Sequence, residues 1–230
     1  MCAVIGAIIR KPSADDFSLI RRVFLESKIR GMHATGMSVL PHWSKEIQTF
    51  KEPVPADKFV HLDNLEDCVA KDGNLYLIGH CRYSTSDLEY NQPLYNSEKS
   101  IVHNGVITQE LPHRWKELYG YDCITKNDSE LVLHSEDPLD EFPNMSMGVC
   151  ELSIDKKLTV YRSGKRPLYM TTLPNGVLVT STKDIIKRAD PSAEPEVMDA
   201  NTYCTITIGT HLTLDYETVN NKAKDYQYEV

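Results

Sequence analysis

From Cys2 to Ile9 the chain is apolar at every position except one glycine, and Arg10, Lys11 and Pro12 end the run. No basic residue precedes it and it is too short to span a bilayer, so it reads as a buried strand and not as a targeting signal. Ser13 followed by Asp16 marks a helix start, after which Phe17, Ile20, Val23 or Phe24 and Ser27 recur at helical spacing until Gly31. Apolar stretches near Met37–Leu40, Leu75–Ile78 and Ser100–His103 predict strands. A second helix is predicted over Leu111–Tyr119 and a short third one near Asn127–Asp128. The last third alternates as hairpins. Val149–Ile154 and Leu158–Arg162 flank Asp155–Lys157, Tyr169–Leu173 and Val177–Thr180 flank Asn175–Gly176, and Thr202–Ile208 and His211–Leu214 flank Gly209. Helices interleaved with many antiparallel strands predict an α+β domain in which sheet packs on sheet with helices outside. No repeat or linker divides the chain, and the Pro- and Glu-rich stretch from Pro191 to Pro195 is too short to separate domains, so residues 1–230 read as one domain.

Composition narrows the function classes. With 230 residues, 41% hydrophobic and 25% charged, the chain is ordinary for a globular protein with a sizeable core. A formal net charge of −8 argues against non-specific binding to nucleic acid or to an anionic membrane, both polyanions. No stretch approaches membrane length, which makes a cytoplasmic location the expectation. The six cysteines, Cys2, Cys68, Cys81, Cys123, Cys150 and Cys204, contain no CxxC pair. Reduced thiols are therefore expected, and neither a disulfide framework nor a structural zinc site.

Four features carry chemistry, and each has a plainer reading beside it. Removal of Met1 would leave Cys2 with both a thiol and a free α-amine, whose reference pKa values are about 8.5 and about 7.7–8.0. The amine can then serve as base toward its own thiol, whereas the plain reading is a small buried side chain. GHCRYST, from Gly79 to Thr85, puts Arg82 at the end of an apolar strand, where its planar fork suits a carboxylate ligand or an ordinary ion pair. IVHNG, from Ile101 to Gly105, ends a second strand in Asn-Gly. That is a turn, or an oxyanion hole formed by the Asn104 amide and the Gly105 N–H. NDSE, from Asn127 to Glu130, supplies a helix N-cap in Asn127 or Asp128, and Asp128 also suits a substrate ammonium group.

In their order, these elements resemble the class II glutamine amidotransferase domain of the amino-terminal nucleophile hydrolase superfamily. That family combines an MCGI-type start with R-G-x-D-S-x-G, G-H-T-R-[WY]-[AS]-T, N-G-x-I, T-D-[ST]-E and R-D-x-x-G-x-[RK]-P-L elements. The corresponding stretches are MCAVIGA, RGMHATG (Arg30 to Gly36), GHCRYST, VHNGVI, NDSELV and RSGKRPLYM (Arg162 to Met170), and they reach from residue 2 to about residue 185. The resemblance implies a four-layer αββα sandwich of two antiparallel sheets. It also implies Cys2 as nucleophile and, through its amine, base; Asn104 and Gly105 as the oxyanion hole; Arg82 with Thr85 at the glutamine carboxylate; and Asp128 at its ammonium group. It implies neither metal nor organic cofactor. The chain departs from the pattern after Cys2, where Ala3 and Val4 follow and the usual glycine directly after the nucleophile is absent, Gly6 coming later; at His33 and Ala34, which stand where an acid and a serine are usual; at Ser86, where some branches carry histidine; and in the shortened Tyr90–Pro93 loop. The segment from His134 to Met147 is also too short and proline-broken for the family's usual helix.

The leading functional expectation is hydrolysis of L-glutamine, with ammonia delivered to a synthetase or transferase on another chain, because the sequence stops at Val230 with no room for a second active site. A γ-glutamyl amide hydrolase acting on a modified glutamine fits the same residues. A third class is a non-catalytic interaction module that has kept the fold.

Overall fold

In a computed structural model of the chain, which describes residues 2–83 and 91–219, the opening apolar run becomes β1 (Ala3–Arg10). Helix α1 (Ala14–Ser27) follows, and Ser13 caps it: its side chain accepts from Asp16 N while the Asp16 carboxylate accepts from Ser13 N, the reciprocal pair expected from the sequence. Next come β2 (Ala34–Val39), β3 (Gln48–Glu52), 3₁₀ turns at Ala56–Lys58 and Val60–Cys68, and β4 (Asn74–Arg82). Beyond the undescribed 84–90 stretch lie β5 (Leu94–Tyr95), β6 (Lys99–Val106), a 3₁₀ turn at Pro112–Arg114, and the helices α2 (Trp115–Tyr119), α3 (Ser129–His134) and α4 (Pro138–Glu141). The chain continues through β7 (Ser146–Ser153), β8 (Leu158–Arg162), β9 (Tyr169–Leu173), β10 (Gly176–Thr180), α5 (Lys183–Ala189), β11 (Glu196–Val197), β12 (Thr202–Ile208) and β13 (Leu212–Thr218).

The strands form two sheets, ordered β11-β9-β10-β1-β4-β2-β3 and β13-β12-β8-β7-β6-β5. Every pairing is antiparallel. Alternation along β1 explains the layers. Ala3, Ile5, Ala7 and Ile9 face a cluster that includes Phe17, Ile20 and Phe24 of α1 and Ile185 and Ile186 of α5. Val4 and Ile8 face a second cluster shared with Val102, Cys150, Leu152 and Val160 of the other sheet. A third cluster covers the far side of that sheet, where Ile101, Met147 and Val149 meet Trp115, Leu131 and Leu139. Helix, sheet, sheet and helix follow in turn, the αββα sandwich of the sequence expectation. A strand covered on both faces has no polar side to show, which is why β1 reads as an unbroken apolar run.

The hairpins fall where the turns place them, β9 and β10 meeting at Leu173↔Gly176 and β12 and β13 closing at Ile208↔Leu212. Other elements differ from expectation. Helix α2 is only five residues long, because Pro112 opens a 3₁₀ turn ahead of it and Gly120 closes it in the left-handed conformation. Strand β3 and helix α5 escaped the pattern analysis: QTFKE alternates weakly at a sheet edge, and KDIIKRA shows a single turn of apolar spacing. Between His134 and Met147 only the four-residue α4 forms.

Close approach sets the helix–sheet spacing. A Cβ on Gly79 of β4 would lie 2.3 Å from Phe24 Cζ of α1, inside the ring's own volume. Gly79→Ala is expected to cost about 1–3 kcal/mol by overpacking. Phe24→Leu should relieve it, so that the double variant is less destabilised than the sum of the singles by at least about 0.5 kcal/mol in urea unfolding. Additive losses would show that the ring is not what excludes a side chain there.

Candidate active site

The β1–β4 register decides where the first residues point. Ala3 pairs with Cys81 and Val4 with His80, so the same register sets Cys2 opposite Arg82 at the end of the sheet. Val4 N donates to Ser181 Oγ at 3.2 Å and Ser181 N to Val4 O at 3.1 Å, which pins the amino end against β10. Because Val4 faces the other sheet, the alternate position Cys2 does so as well. On β6, Val102 faces inward too, and its alternate neighbour Asn104 therefore points into the same interlayer space as Cys2.

A cleft of about 640 Å³ opens there, and its walls include Cys2, Arg82, Asn104, Gly105 and Asp128. Five of the six residues singled out from the sequence are thus brought together. The sixth, Thr85, lies outside the described residues. Cys2 is half-buried, its thiol free. Asn104 is 4% exposed, and its amide Nδ2 is buried without a hydrogen-bond partner among the described residues. Gly105 admits no side chain, since a Cβ would stand 1.8 Å from Ser146 O and 2.6 Å from His103 Nε2. Arg82 Nη1 donates to Asn91 Oδ1 at 2.7 Å.

The N-cap expectation for Asp128 needs correction. Its side chain makes no capping bond to α3. Instead Asp128 Oδ2 accepts from Ile107 N at 2.6 Å and Thr108 N at 3.2 Å, and Asn127 Oδ1 accepts from Ser129 N at 3.1 Å. The carboxylate thereby ties the start of α3 to the chain leaving β6, where Ile107 and Thr108 would otherwise carry unsatisfied donors.

Beneath the cleft runs a polar network that the sequence reading did not single out. Gln92 Nε2 donates to His103 O and to Ser129 Oγ, both at 3.1 Å, while His103 N donates to Gln92 Oε1 at 2.5 Å. The His103 ring spans Ser129 Oγ at 2.8 Å and the carbonyl of Ser146 at 3.2 Å. A carbonyl only accepts, so Nε2 carries the proton and Nδ1 accepts from Ser129. Burial lowers the His103 pKa, against an opposing pull from Asp128. His80, also in the cleft wall, is lowered from 6.5 to about 3, first by burial and then by the charges of Arg82 and His103. Arg30 is lowered first by burial and then by Arg166, with Cys2 acting in the opposite sense, which puts the Arg30 guanidinium within electrostatic reach of the thiol. His80, Gln92 and Arg166 all sit inside stretches used to align motifs; Trp115 and Lys126, which also line the cleft, carried no sequence signal.

No family model and no curated protein matches the sequence. Solved structures do match its fold. The chain superposes on the glutamine phosphoribosylpyrophosphate amidotransferase from B. subtilis complexed with ADP and GMP with a TM-score of 0.66 at 16% identity, over 93% of this chain and 49% of that one. It superposes on the allosteric regulatory enzyme of purine biosynthesis with a TM-score of 0.69 at 16% identity, over 93% and 48%. A glutamine aminotransferase class-II domain protein from Silicibacter pomeroyi gives 0.56 at 14% identity, over 92% and 98%. The chain spans about half the length of the first two. Its fold, two antiparallel sheets between layers of helices, is the one these amidotransferase structures share.

The two buried histidines give a pH dependence of known sign. Unfolded, each takes up a proton near 6.5, which folded His80 refuses until about pH 3. The stabilisation is therefore present above pH 6.5 and is lost as pH falls toward 3. His80→Gln is expected to flatten the decline by up to about 1.4 kcal/mol per pH unit, read by urea unfolding at successive pH values. An unchanged slope would mean that His80 is protonated in the folded state.

Proposed function

We propose that the chain hydrolyses the side-chain amide of L-glutamine through a γ-glutamyl thioester on Cys2. The observation that carries the reading is the convergence of Cys2, Arg82, Asn104, Gly105 and Asp128 on one cleft, with the buried Asn104 Nδ2 donor unpartnered among the described residues. Met1 is removed, and the α-amine of Cys2 takes the proton of its own thiol. The thiolate attacks the amide carbon. Its carbonyl oxygen becomes an oxyanion held by Asn104 Nδ2 and the Gly105 N–H. Collapse of the tetrahedral intermediate expels ammonia, which receives its proton from the Cys2 ammonium. Water, activated by the same amine, then cleaves the thioester and releases glutamate.

Binding is assigned to the opposite charges of the cleft. Arg82, steadied by Asn91, takes the α-carboxylate, and Thr85 assists it. Asp128, one of whose oxygens is held by backbone N–H groups, offers the other to the α-ammonium. The ammonia is passed to a synthetase or transferase carried on a separate chain.

Cys2→Ala is expected to abolish ammonia release, and Asn104→Ala to lower kcat by about 10²–10³. Mass spectrometry of the wild type should show Cys2 as the first residue, alkylated by a glutamine-mimicking diazo-ketone. Ammonia release by Cys2→Ala at the wild-type rate would defeat the mechanism. Preferential turnover of γ-glutamyl alkylamides over glutamine would keep the mechanism and replace the substrate.

A further inference from the structure

Away from the cleft, the polar end of α3 gathers a second set of reactive side chains. Glu130 and His134 stand one helical turn apart, with His134 Nε2 3.5 Å from Glu130 Oε1. Cys123, in the segment between α2 and α3, brings its Sγ to the same place, and the three donor atoms lie within 4.8 Å of one another. Two nitrogen or oxygen ligands of a tetrahedral zinc are about 3.3 Å apart, and a sulfur stands about 3.5 Å from either, as follows from bond lengths of about 2.0–2.3 Å. The His134–Glu130 separation already has that value. Closing the sulfur onto the pair from within 4.8 Å requires a shift of at most about 1.3 Å, within reach of a side-chain rotation.

The surroundings favour a cation. Glu130 is 4% exposed, and its carboxylate is fixed by three bonds: Oε1 accepts from Ile124 N at 2.7 Å, and Oε2 accepts from Thr125 N and Thr125 Oγ1, both at 2.6 Å. Oε1 thus keeps a lone pair free on the side toward His134. His134 Nε2 is buried and makes no hydrogen bond to any described residue. The imidazole is held in place by Tyr121, stacked on it with ring centroids 5.9 Å apart and planes at 19°, and the Tyr121 hydroxyl is anchored on Glu141 at 2.8 Å. His134 also forms part of the wall of a cavity of about 450 Å³ completed by Tyr121, Glu136, Asp137, Asp140 and Glu141, with no basic side chain but His134 itself. Such a wall concentrates cations and gives them a route to the ligands.

We propose that Cys123, Glu130 and His134 form a binding site for a zinc-class divalent cation, with water as fourth ligand on the cavity side. A mixed sulfur, nitrogen and oxygen set selects zinc over magnesium or calcium, which take oxygen alone. Binding expels the thiol proton to solvent and leaves a neutral imidazole and a carboxylate as the other ligands. The cation ties the 123–125 segment to α3, two residues beyond Asp128, and so braces the element that forms one wall of the cleft. The proposal does not depend on glutamine hydrolysis. The cysteine spacing had pointed away from zinc because only the Glu130–His134 pair is close in sequence.

The test uses the full chain, stripped with chelator, given one equivalent of Zn²⁺, desalted, and assayed for metal. Wild type and Cys2→Ala are expected to retain about one zinc per chain, and Cys123→Ser and His134→Gln less than a tenth of that. Zinc at a hundredfold excess over its Kd should raise the wild-type Tm by about 5–10 °C and leave the two variants unmoved. With Co²⁺, a near-ultraviolet thiolate charge-transfer band should appear in wild type and Cys2→Ala and be missing in Cys123→Ser. His134→Gln, at a partly exposed position, serves as the folding-safe arm. Retention by either ligand variant at the wild-type level, failure of the wild type to retain zinc, or loss of zinc in Cys2→Ala would each overturn the site.

Discussion

The structure depends on β1 being covered on both faces. One face is held by α1 and α5 and the other by the second sheet, and each of its residues from Ala3 to Ile9 that bears a side chain is fully buried. Covering both faces removes hydration from the whole strand, and the six such residues contribute a large share of the apolar area removed from water. It also removes freedom. A strand flanked by β10 and β4 cannot slip by one residue without turning every side chain to the wrong layer. Where the strand begins, the position of Cys2 is consequently fixed by the packing of the residues after it. Residues near a chain terminus are ordinarily mobile; here the core fixes the approach to Cys2.

A second consequence concerns charge. The chain is acidic overall, yet Arg82, Lys126 and Arg166 line the cleft beside Asp128 and Glu110. Both signs are needed by a ligand that carries carboxylate and ammonium on one carbon, and a net charge of −8 does not by itself reveal such a local arrangement. Asp128 is central to it because one carboxylate joins two elements. Its bonds to Ile107 N and Thr108 N fasten α3 to the end of β6, so the acidic and the amide parts of the cleft move together. The Gln92–His103–Ser129 network, which joins the 91–93 segment to the same two elements, reinforces that joint.

Much of this was legible in the sequence, and the part that was not has physical causes. The capping box at Ser13 and Asp16, the Asn175–Gly176 turn and the two-faced apolar strand are local signals, and local signals survive folding. Strand β3 is held by pairing with β2, and α5 by packing on α1 and β10. Those are tertiary causes that a weakly patterned segment does not display. At the site, Asp128 is visible as a polar residue at a helix start, but its partners, Ile107 and Thr108, lie 21 and 20 residues away. An N-cap was the natural local reading, and a long-range bond replaced it. His80 and Gln92 carry no local signal of a role, because burial and an inter-element network give them their character, and neither is a property of a short window of sequence.

Asn104 is where the structural and the functional accounts of the site part. An asparagine serving only to turn the chain would direct its amide to a neighbouring backbone carbonyl, since a buried donor left unmade costs about 1–3 kcal/mol. Instead Asn104 lies in regular β pairing opposite Gly148 and lines the cleft, and its buried Nδ2 is unpartnered among the described residues. Gly105 beside it is closed to any side chain by Ser146, which leaves that edge of the cleft formed of backbone. In the proposed hydrolysis the substrate oxygen would gain charge, and a donor already oriented and desolvated needs no reorganisation when that charge appears.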